Sequence, residues 1–167
     1  IAVADSGFLE ILSTSGGISE ISNSIGYDYY QPQIDSISPM SCVGDTVTVY
    51  GSGFCHINGE LSVVMNGNFI ASYNDFSNVG YSLGNYVSHS FNHFSFVSVP
   101  ISGLLEIYSY SGGNTEISNS IGYDYYTPQI DSISPISCAG DTVTVYGSGF
   151  CHTNGELSVV INGNFIA

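Results

Sequence analysis

Residues Pro32–Cys55 read PQIDSISPMSCVGDTVTVYGSGFC, and the stretch returns 96 positions later as Pro128–Cys151, PQIDSISPISCAGDTVTVYGSGFC. The wider copies, Tyr30–Ala71 and Tyr126–Ala167, differ only at positions 31, 40, 43, 57 and 65. A near-identical self-match at a fixed spacing is typical of repeat architectures, in which one structural unit is used more than once. The repeat therefore predicts how the chain is divided into domains.

The residues within this stretch favour β-structure. Ile34–Ser38 is interpreted as a first strand, which Pro39 stops. Thr46–Tyr50 reads TVTVY, a run of β-branched and aromatic residues that pack well on a pleated surface. Gly51–Gly53 is expected to end this second strand, because glycines permit a bulge or a tight bend.

The pattern resembles the opening of an IPT/TIG domain, an immunoglobulin-like module of plexins and of many microbial surface proteins. The matching features are Ile34-x-x-Ile37-Ser38-Pro39 and then Gly44-x-Thr46-Val47-Thr48-Val49-x-Gly51-x-Gly53-Phe54. Asp45 stands where the family usually carries glycine, and the cysteines Cys42 and Cys55 are additions to the pattern. The resemblance implies tandem all-β immunoglobulin-like sandwiches, and it carries over no catalytic residue.

The repeat predicts one complete and two partial sandwiches. Residues 1–30 match the final strands of the unit, residues 31–126 form a complete domain, and residues 127–167 match its early strands only. Gln31-Pro32 is a short linker that proline stiffens, so neighbouring domains are expected to sit in a defined relation. The two partial domains are complementary, and we expect each to be completed by an adjoining segment.

Turn signals and periodicity indicate an all-β fold. Gly16-Gly17 and Asn66-Gly67 lie between apolar runs and are expected to be hairpin turns. Residues 74–92 break any regular alternation and are expected to be a long excursion on one side of the sandwich. No segment has a 3.6-residue apolar period of useful length, so almost no helix is expected.

The charge of the chain is its most unusual property. Fourteen Asp and Glu residues are present without a single Lys or Arg, which gives a formal net charge of -14. Nucleic-acid binding requires a basic surface and is therefore excluded. Acid, salt or bound divalent cations would relieve the self-repulsion. Trypsin-like proteases find no cleavage site in such a chain, which suits an extracellular, cell-surface location.

The cysteines are expected to form disulfides, because a zinc site would need closely spaced pairs that are absent here. About eight extended residues between Cys42 and Cys55 span about 26 Å, whereas bridged Cα atoms lie within about 7 Å. In a sandwich whose first strand enters at the top, Cys42 lies at the bottom, and Cys151 lies at the top of the following domain. The bottom of one domain faces the top of the next. A disulfide between Cys42 and Cys151 is therefore favoured, with Cys55 and Cys138 bonded to preceding and following units. The alternative is a local bridge between Cys42 and Cys55.

Two tyrosine clusters flank the predicted domain boundaries and are expected to be interface residues. Packing in the core and at the junctions is preferred, and an aromatic strip that binds sugars or another filament is the alternative. The clusters consist of Tyr27, Tyr29, Tyr30, Tyr123, Tyr125 and Tyr126.

No catalytic or metal-binding residue is assigned, and we do not expect an enzyme. Calcium is the one ion kept open, because Asp28 and Asp35 flank a domain junction, although no EF-hand loop occurs. Asp45 is expected to cap the turn before its strand. His89 and His93 are expected to be solvent-exposed, since on one strand they would lie about 13 Å apart.

These features favour a non-enzymatic extracellular structural protein that assembles head to tail, with itself as partner, into a filament, stalk or sheath. The alternative is an adhesin or glycan-binding module that uses residues 74–92 to contact glycans or other cell surfaces. No apolar run in the sequence is long enough to be a membrane span.

Overall fold

The structure is a computed structural model that describes residues 7–27, 29–55, 59–75, 80–135, 138–151 and 156–166. Within these ranges the chain is all-β and contains no helix, as the sequence predicts. None of its described segments is therefore a helix that could cross a membrane. The strands are β1 (Gly7–Leu9), β2 (Leu12–Ser15), β3 (Ile18–Ile21), β4 (Ile25–Tyr27), β5 (Gln33–Ile37), β6 (Thr46–Ser52), β7 (Gly59–Met65), β8 (Asn68–Asn74), β9 (Tyr81–Gly84), β10 (Tyr86–Ser90), β11 (His93–Val97), β12 (Gly103–Ser111), β13 (Asn114–Ile117), β14 (Ile121–Tyr123), β15 (Gln129–Ile133), β16 (Val145–Ser148), β17 (Val160–Ile161) and β18 (Asn164–Phe165).

A four-stranded antiparallel sheet has the order β10-β11-β6-β5. Its strands β5 and β6 are those that the repeated stretch predicts, with an irregularity in register between Ile34 and Ser36. Strand β6 ends at Ser52, within the Gly51–Gly53 stretch that is expected to end it. A Cβ atom at Gly51 would collide with the Gln33 carbonyl oxygen and the Phe54 ring. Glycine is thus needed at position 51 because the Gln33 backbone and the Phe54 ring lie too close for a side chain, and not because the chain bends there.

A six-stranded sheet has the order β13-β12-β7-β8-β9, and β14 also pairs with β12. The predicted turn at Asn66-Gly67 joins β7 to β8 with positive φ angles of 49° and 79°. The segment that returns along β12 is divided into β13 and β14, with a break that begins at Ser118. The Ser118 Oγ accepts a hydrogen bond from the Ile107 backbone N–H at 2.9 Å, which takes the place of a ladder bond at this break.

The two sheets share one hydrophobic core between them. Strands β6 and β11 contribute Val47, Val49, Phe94 and Phe96, and strands β7, β8 and β12 contribute Leu61, Val63, Met65, Ile70, Ala71, Leu105 and Ile107. Strand β14 adds Tyr123, whose hydroxyl is hydrogen-bonded to the Ser98 hydroxyl at 2.6 Å in the interior. The two hydroxyls bond to each other, so burying them does not leave a hydrogen-bond donor unpaired.

Residues 74–92 do not form the irregular excursion that the sequence predicts. Of the part that the structure describes, which omits 76–79, most lies in β9 and β10. The chain crosses from one sheet to the other at Asn85, whose carbonyl oxygen accepts a hydrogen bond from Val97 N–H at 2.7 Å. The Asn85 N–H donates to the Ile70 carbonyl at 3.2 Å. Sequence periodicity missed these strands because both are short edge strands.

In the described parts of the segments before β5 and after β14, each strand pairs only with a strand of its own segment. In the head segment, residues 1–30, β1 pairs with β4 and β2 with β3. In the tail segment, residues 127–167, β15 pairs with β16 and β17 with β18. We call residues 31–126, which hold both sheets and the core, the middle unit.

Candidate functional site

The junction between the middle unit and the tail segment is closed by a disulfide between Cys42 and Cys151, with Cα atoms 5.7 Å apart. This is the pairing that strand direction favours, and the local alternative to Cys55 is not formed. Beside it, Ser41 and Tyr125 form a parallel β-bridge. The Tyr126 N–H also donates to the Ser41 carbonyl at 3.0 Å. The junction is therefore held by backbone pairing as well as by the covalent bond.

The turn that carries Cys42 is fixed by Asp45, as expected. The Asp45 carboxylate accepts a hydrogen bond from Cys42 N–H at 3.1 Å, and the Asp45 N–H donates to the Cys42 carbonyl at 3.1 Å. Gly44 within this turn has a φ of 95°, a conformation that side chains other than glycine rarely adopt. The bonded cysteine is thus presented on a rigid turn.

Cys55 and Cys138 are free thiols in the structure. Cys138 is exposed, while Cys55 is half-buried, and this burial raises the pKa of the Cys55 thiol by disfavouring the thiolate. Their pairing with preceding and following units lies beyond a single copy of the chain and stays a prediction.

The tail segment exposes an apolar face whose repeat counterparts are buried. Leu157 is 57% exposed, whereas its counterpart Leu61, 96 positions earlier, is fully buried. Ile130 is 66% exposed against 4% for Ile34. An open cavity of about 780 Å³ lies where this face meets the junction. It is lined by Tyr125, Tyr126, Pro128, Ile130, Leu157, Val160 and Phe165, among others.

The head segment exposes a second apolar face. Leu9 and Ile11 are 48% and 66% exposed, and their counterparts Leu105 and Ile107 in β12 are fully buried. The head equivalent of the continuous strand β12 is interrupted at residues 10–11, between β1 and β2. In the middle unit β12 is braced along its length by β7, and the head segment has no such partner strand among the described residues.

Both segments keep some of the hydrogen bonds and pairings of the middle unit. In the head, Ile11 N–H donates to Ser22 Oγ at 2.9 Å, which reproduces the bond from Ile107 to Ser118. In the tail, β15 and β16 repeat the pairing of β5 with β6, including its irregularity after Ile130. The two segments therefore retain part of the pairing of the middle unit, although strand is lost at residues 10–11 of the head and at residues 157–159 of the tail.

The tyrosines occupy three kinds of position. Tyr123 lies in the core against Phe96, with ring centres 6.0 Å apart. Tyr125 and Tyr126 lie at the junction with the tail. In the head cluster, Tyr30 packs edge-on against Phe91 of the middle unit at 5.0 Å. The Tyr29 hydroxyl accepts a hydrogen bond from the Gln31 side chain at 2.9 Å, and Tyr27 is half-buried.

The expectation for the histidines is wrong. His89 and His93 lie on the paired strands β10 and β11 of one hairpin, and both are half-buried. The His89 ring stacks on Tyr73 at 4.1 Å, and its Nδ1 is hydrogen-bonded to the Tyr86 hydroxyl at 2.8 Å. The pKa of the Tyr86 hydroxyl is raised, mainly by burial and to a smaller extent by electrostatic repulsion from Tyr73. Tyr73 lies on β8 of the other sheet, and stacking between two sheets leaves no local signal in sequence.

Within the described ranges the carboxylates do not converge on a metal site. Among the residues that the structure describes, no three His, Cys, Asp or Glu side chains lie close enough together to hold an ion. Asp28, which the calcium hypothesis used, lies outside the described residues. Asp35 is exposed on β5.

One residue that sequence reasoning missed connects the two ends of the middle unit. The Asn119 side chain accepts a hydrogen bond from Ile34 N–H at 2.7 Å and donates to the Ile34 carbonyl at 3.0 Å. The available signal was the recurrence of the stretch ISNSIGYDYY, which places Asn23 in the head segment where Asn119 stands in the middle unit.

Comparison of the chain with family models, with curated proteins and with solved structures gives no match.

Proposed function

We propose that this chain is an extracellular structural repeat protein of IPT/TIG-like immunoglobulin sandwiches that assembles head to tail into a filament, stalk or sheath. One observation carries the proposal: the faces left exposed on the head and the tail segments are those that the middle unit buries against each other.

The register of the middle unit specifies how two copies would meet. Strand β12 pairs antiparallel with β7, and Ile107 lies opposite Val63. The head equivalent of Ile107 is Ile11, and the tail equivalent of Val63 is Val159. Pairing the head of one copy with the tail of another in the same register therefore places Ile11 against Val159.

Burial of apolar side chains would contribute to such pairing. Burying one Leu, Ile or Val side chain contributes about 1.5–3 kcal/mol. Leu9 and Ile11 on the head, with Ile130, Leu157 and Ile161 on the tail, are about half exposed or more. Their combined burial is comparable to the cost of association, about 4–15 kcal/mol. Open sheet edges would be paired at the same time, which removes a site of non-specific aggregation.

Residues 1–30 and 127–167 by themselves contain no counterpart of residues 72–96, which include Phe94 and Phe96 of the core. A domain formed from these two segments alone is therefore expected to be less stable than the middle unit. Additional connections between copies would offset this loss.

The geometry of the interface favours an open polymer. Head and tail are different surfaces, so their contact is heterologous and each copy retains a free surface for the next. Such contacts generate filaments unless the rotation closes a ring. The disulfide between Cys42 and Cys151 suits an oxidising, extracellular environment.

Variants that block one surface each test the proposal. Ile11→Asp is designed to disable the head, and Val159→Asp the tail, because an unpaired charge would be buried at the contact. All chains in this test also carry Cys55→Ser and Cys138→Ser, which prevents bonds between copies and keeps the disulfide between Cys42 and Cys151. Sedimentation without reductant should give polymers for the chain without a surface change, monomers for each variant and dimers for their equimolar mixture. A mixture that polymerises, or a chain without a surface change that stays monomeric at all concentrations, would contradict the proposal.

A further inference from the structure

The two free cysteines are the repeat counterparts of the two bonded ones. Cys138 stands 96 positions after Cys42, and Cys55 stands 96 positions before Cys151. The existing disulfide joins Cys42 of the middle unit to Cys151 of the tail segment that follows it. A single copy can form this bond once, which leaves Cys138, the equivalent of Cys42, and Cys55, the equivalent of Cys151, unbonded.

Each free cysteine lies in the same backbone setting as its bonded counterpart. Cys138 N–H donates to the Asp141 carboxylate at 2.9 Å, as Cys42 does to Asp45. Cys55 N–H donates to the Gly53 carbonyl at 2.8 Å, and Cys151 N–H to the Gly149 carbonyl at 2.9 Å. Both thiols are therefore held on turns already shaped for the bond that their counterparts make.

The surroundings of Cys55 also match those of Cys151. Gly53 approaches the carbonyl of Gln31, and Gly149 approaches that of Thr127, so both turns lie against a linker. The bonded Cys42 lies next to the bridge between Ser41 and Tyr125. In the repeat, Tyr29 is the counterpart of Tyr125. A tail docked on the head of another copy thus brings its Cys138 towards Tyr29 and the neighbouring Cys55.

We propose that Cys138 of one copy forms a disulfide with Cys55 of the next copy, so that the assembly is covalently linked along its length. This inference rests on the proposed head-to-tail assembly and adds the residues that connect its members. With the bond inside each copy, every junction between successive sandwiches would carry one disulfide.

The chemistry requires an oxidant, for which a low-molecular-weight disulfide such as oxidised glutathione suffices. The Cys138 thiolate attacks this disulfide, forms a mixed disulfide and releases one small thiol. The Cys55 thiolate of the next copy then attacks the Cys138 sulfur and releases the second small thiol. Two protein thiols are oxidised, one small disulfide is reduced to two thiols, and both protons pass to the released thiolates.

The test uses the full chain, oxidised with glutathione disulfide, on denaturing gels without reductant. The original chain should give a ladder of covalent multimers. Cys55→Ser alone and Cys138→Ser alone should each stay monomeric, because each retains only one of the two thiols. Their equimolar mixture should stop at the dimer, since one bond can form and neither outer thiol has a partner. A protease that cuts after aromatic residues separates all four cysteines, through Tyr50 or Phe54 and Tyr146 or Phe150, and should release the joined Cys138 and Cys55 peptides.

Other gel patterns overturn the inference. Dimers from Cys55→Ser alone would show a bond between two Cys138 residues, and dimers from Cys138→Ser alone a bond between two Cys55 residues. Oxidised monomers that have neither free thiols nor the added mass of bound glutathione would show a bond within one copy. Sedimentation of the Cys55→Ser, Cys138→Ser double variant separates the two proposals. If it polymerises while the original chain gives no ladder, only the disulfide is wrong; if neither associates, the assembly itself is wrong.

Discussion

Asn119 holds Ile34 by both of its backbone groups, with the Ile34 N–H donating to Asn119 Oδ1 at 2.7 Å and Asn119 Nδ2 donating to the Ile34 carbonyl at 3.0 Å. The pair is 85 residues apart and connects the break between β13 and β14 to the first strand of the other sheet. Its repeat counterparts are Asn23 in the head and Ile130 in the tail. These two residues would meet only between copies.

Replacing the two asparagines should have different consequences. Asn119→Ala is expected to lower the free energy of unfolding of the middle unit by about 1–2 kcal/mol, because two hydrogen bonds are lost. Asn23→Ala should leave the unfolding of the monomer unchanged and weaken assembly. Urea unfolding and sedimentation measure the two effects. Equal destabilisation of the monomer by both changes would show that Asn23 already has its partner within one copy.

A matched pair of leucines separates core packing from assembly. Leu61→Ala is expected to cost about 2–5 kcal/mol of stability, since Leu61 is fully buried. Leu157→Ala changes the same residue type at the equivalent position, where it is 57% exposed. It should leave the monomer within about 0.5 kcal/mol of the original chain and raise the concentration needed for assembly. The proposal is contradicted if that concentration is unchanged.

Much of this fold is predictable from sequence because its signals are local. The turn at Asn66-Gly67 and strands β5 and β6 follow from residue types a few positions apart. The bond between Cys42 and Cys151 joins residues 109 positions apart. It is favoured because strand length argues against a local bridge and because the sandwich implied by the resemblance brings the two ends together. These inferences need no knowledge of which side chains meet across the core.

The features that were missed depend on contacts between distant residues. Gly51 is fixed by the approach of the Gln33 backbone, and Asn119 by the position of Ile34. His89 is half-buried because Tyr73 of a neighbouring strand stacks on it. None of these contacts leaves a periodic pattern in the chain, so only the folded arrangement reveals them.

Acid, salt or calcium should stabilise the protein and promote its assembly. The net charge of -14 makes close approach repulsive, and protonation, screening or bound cations reduce that repulsion. Lowering the pH from neutral towards the carboxylate range should raise the melting temperature and lower the concentration needed for assembly. Calorimetry measures the melting temperature, and light scattering measures the concentration needed for assembly. Sodium chloride at matched ionic strength is the control that distinguishes screening from calcium binding.

Cys55 should make the reduced protein sensitive to alkali. Burial raises the pKa of its thiol in the folded state, so the neutral thiol is favoured there over the thiolate. The protonated Cys55 thiol therefore contributes fully to folding stability below the ordinary thiol pKa. This contribution is lost as the pH rises through the raised pKa of the folded state. Urea midpoints under reductant should fall more steeply with alkaline pH for the original chain than for Cys55→Ser. If the urea midpoints of the two proteins fall equally with alkaline pH, burial of the Cys55 thiol does not have this effect.

The pairing of head with tail is tested most directly by a cross-link that reports the strand register. In the middle unit Tyr110 lies opposite Glu60, so Thr14 of one copy is expected opposite Glu156 of the next. Directly opposite residues have Cα atoms about 4.5–5.5 Å apart, which is within disulfide reach. Thr14→Cys and Glu156→Cys are placed in separate copies that carry Cys55→Ser and Cys138→Ser, and the two are mixed.

Oxidation of this mixture should give a covalent dimer on a denaturing gel. Moving one cysteine two residues along its strand, to Leu12→Cys, adds about 6–7 Å of offset and should abolish the dimer. Cross-linking of the matched pair but not of the shifted pair is the expected result. No dimer from the matched pair, or equal dimer from both, would contradict the assembly of this protein through its repeated strands.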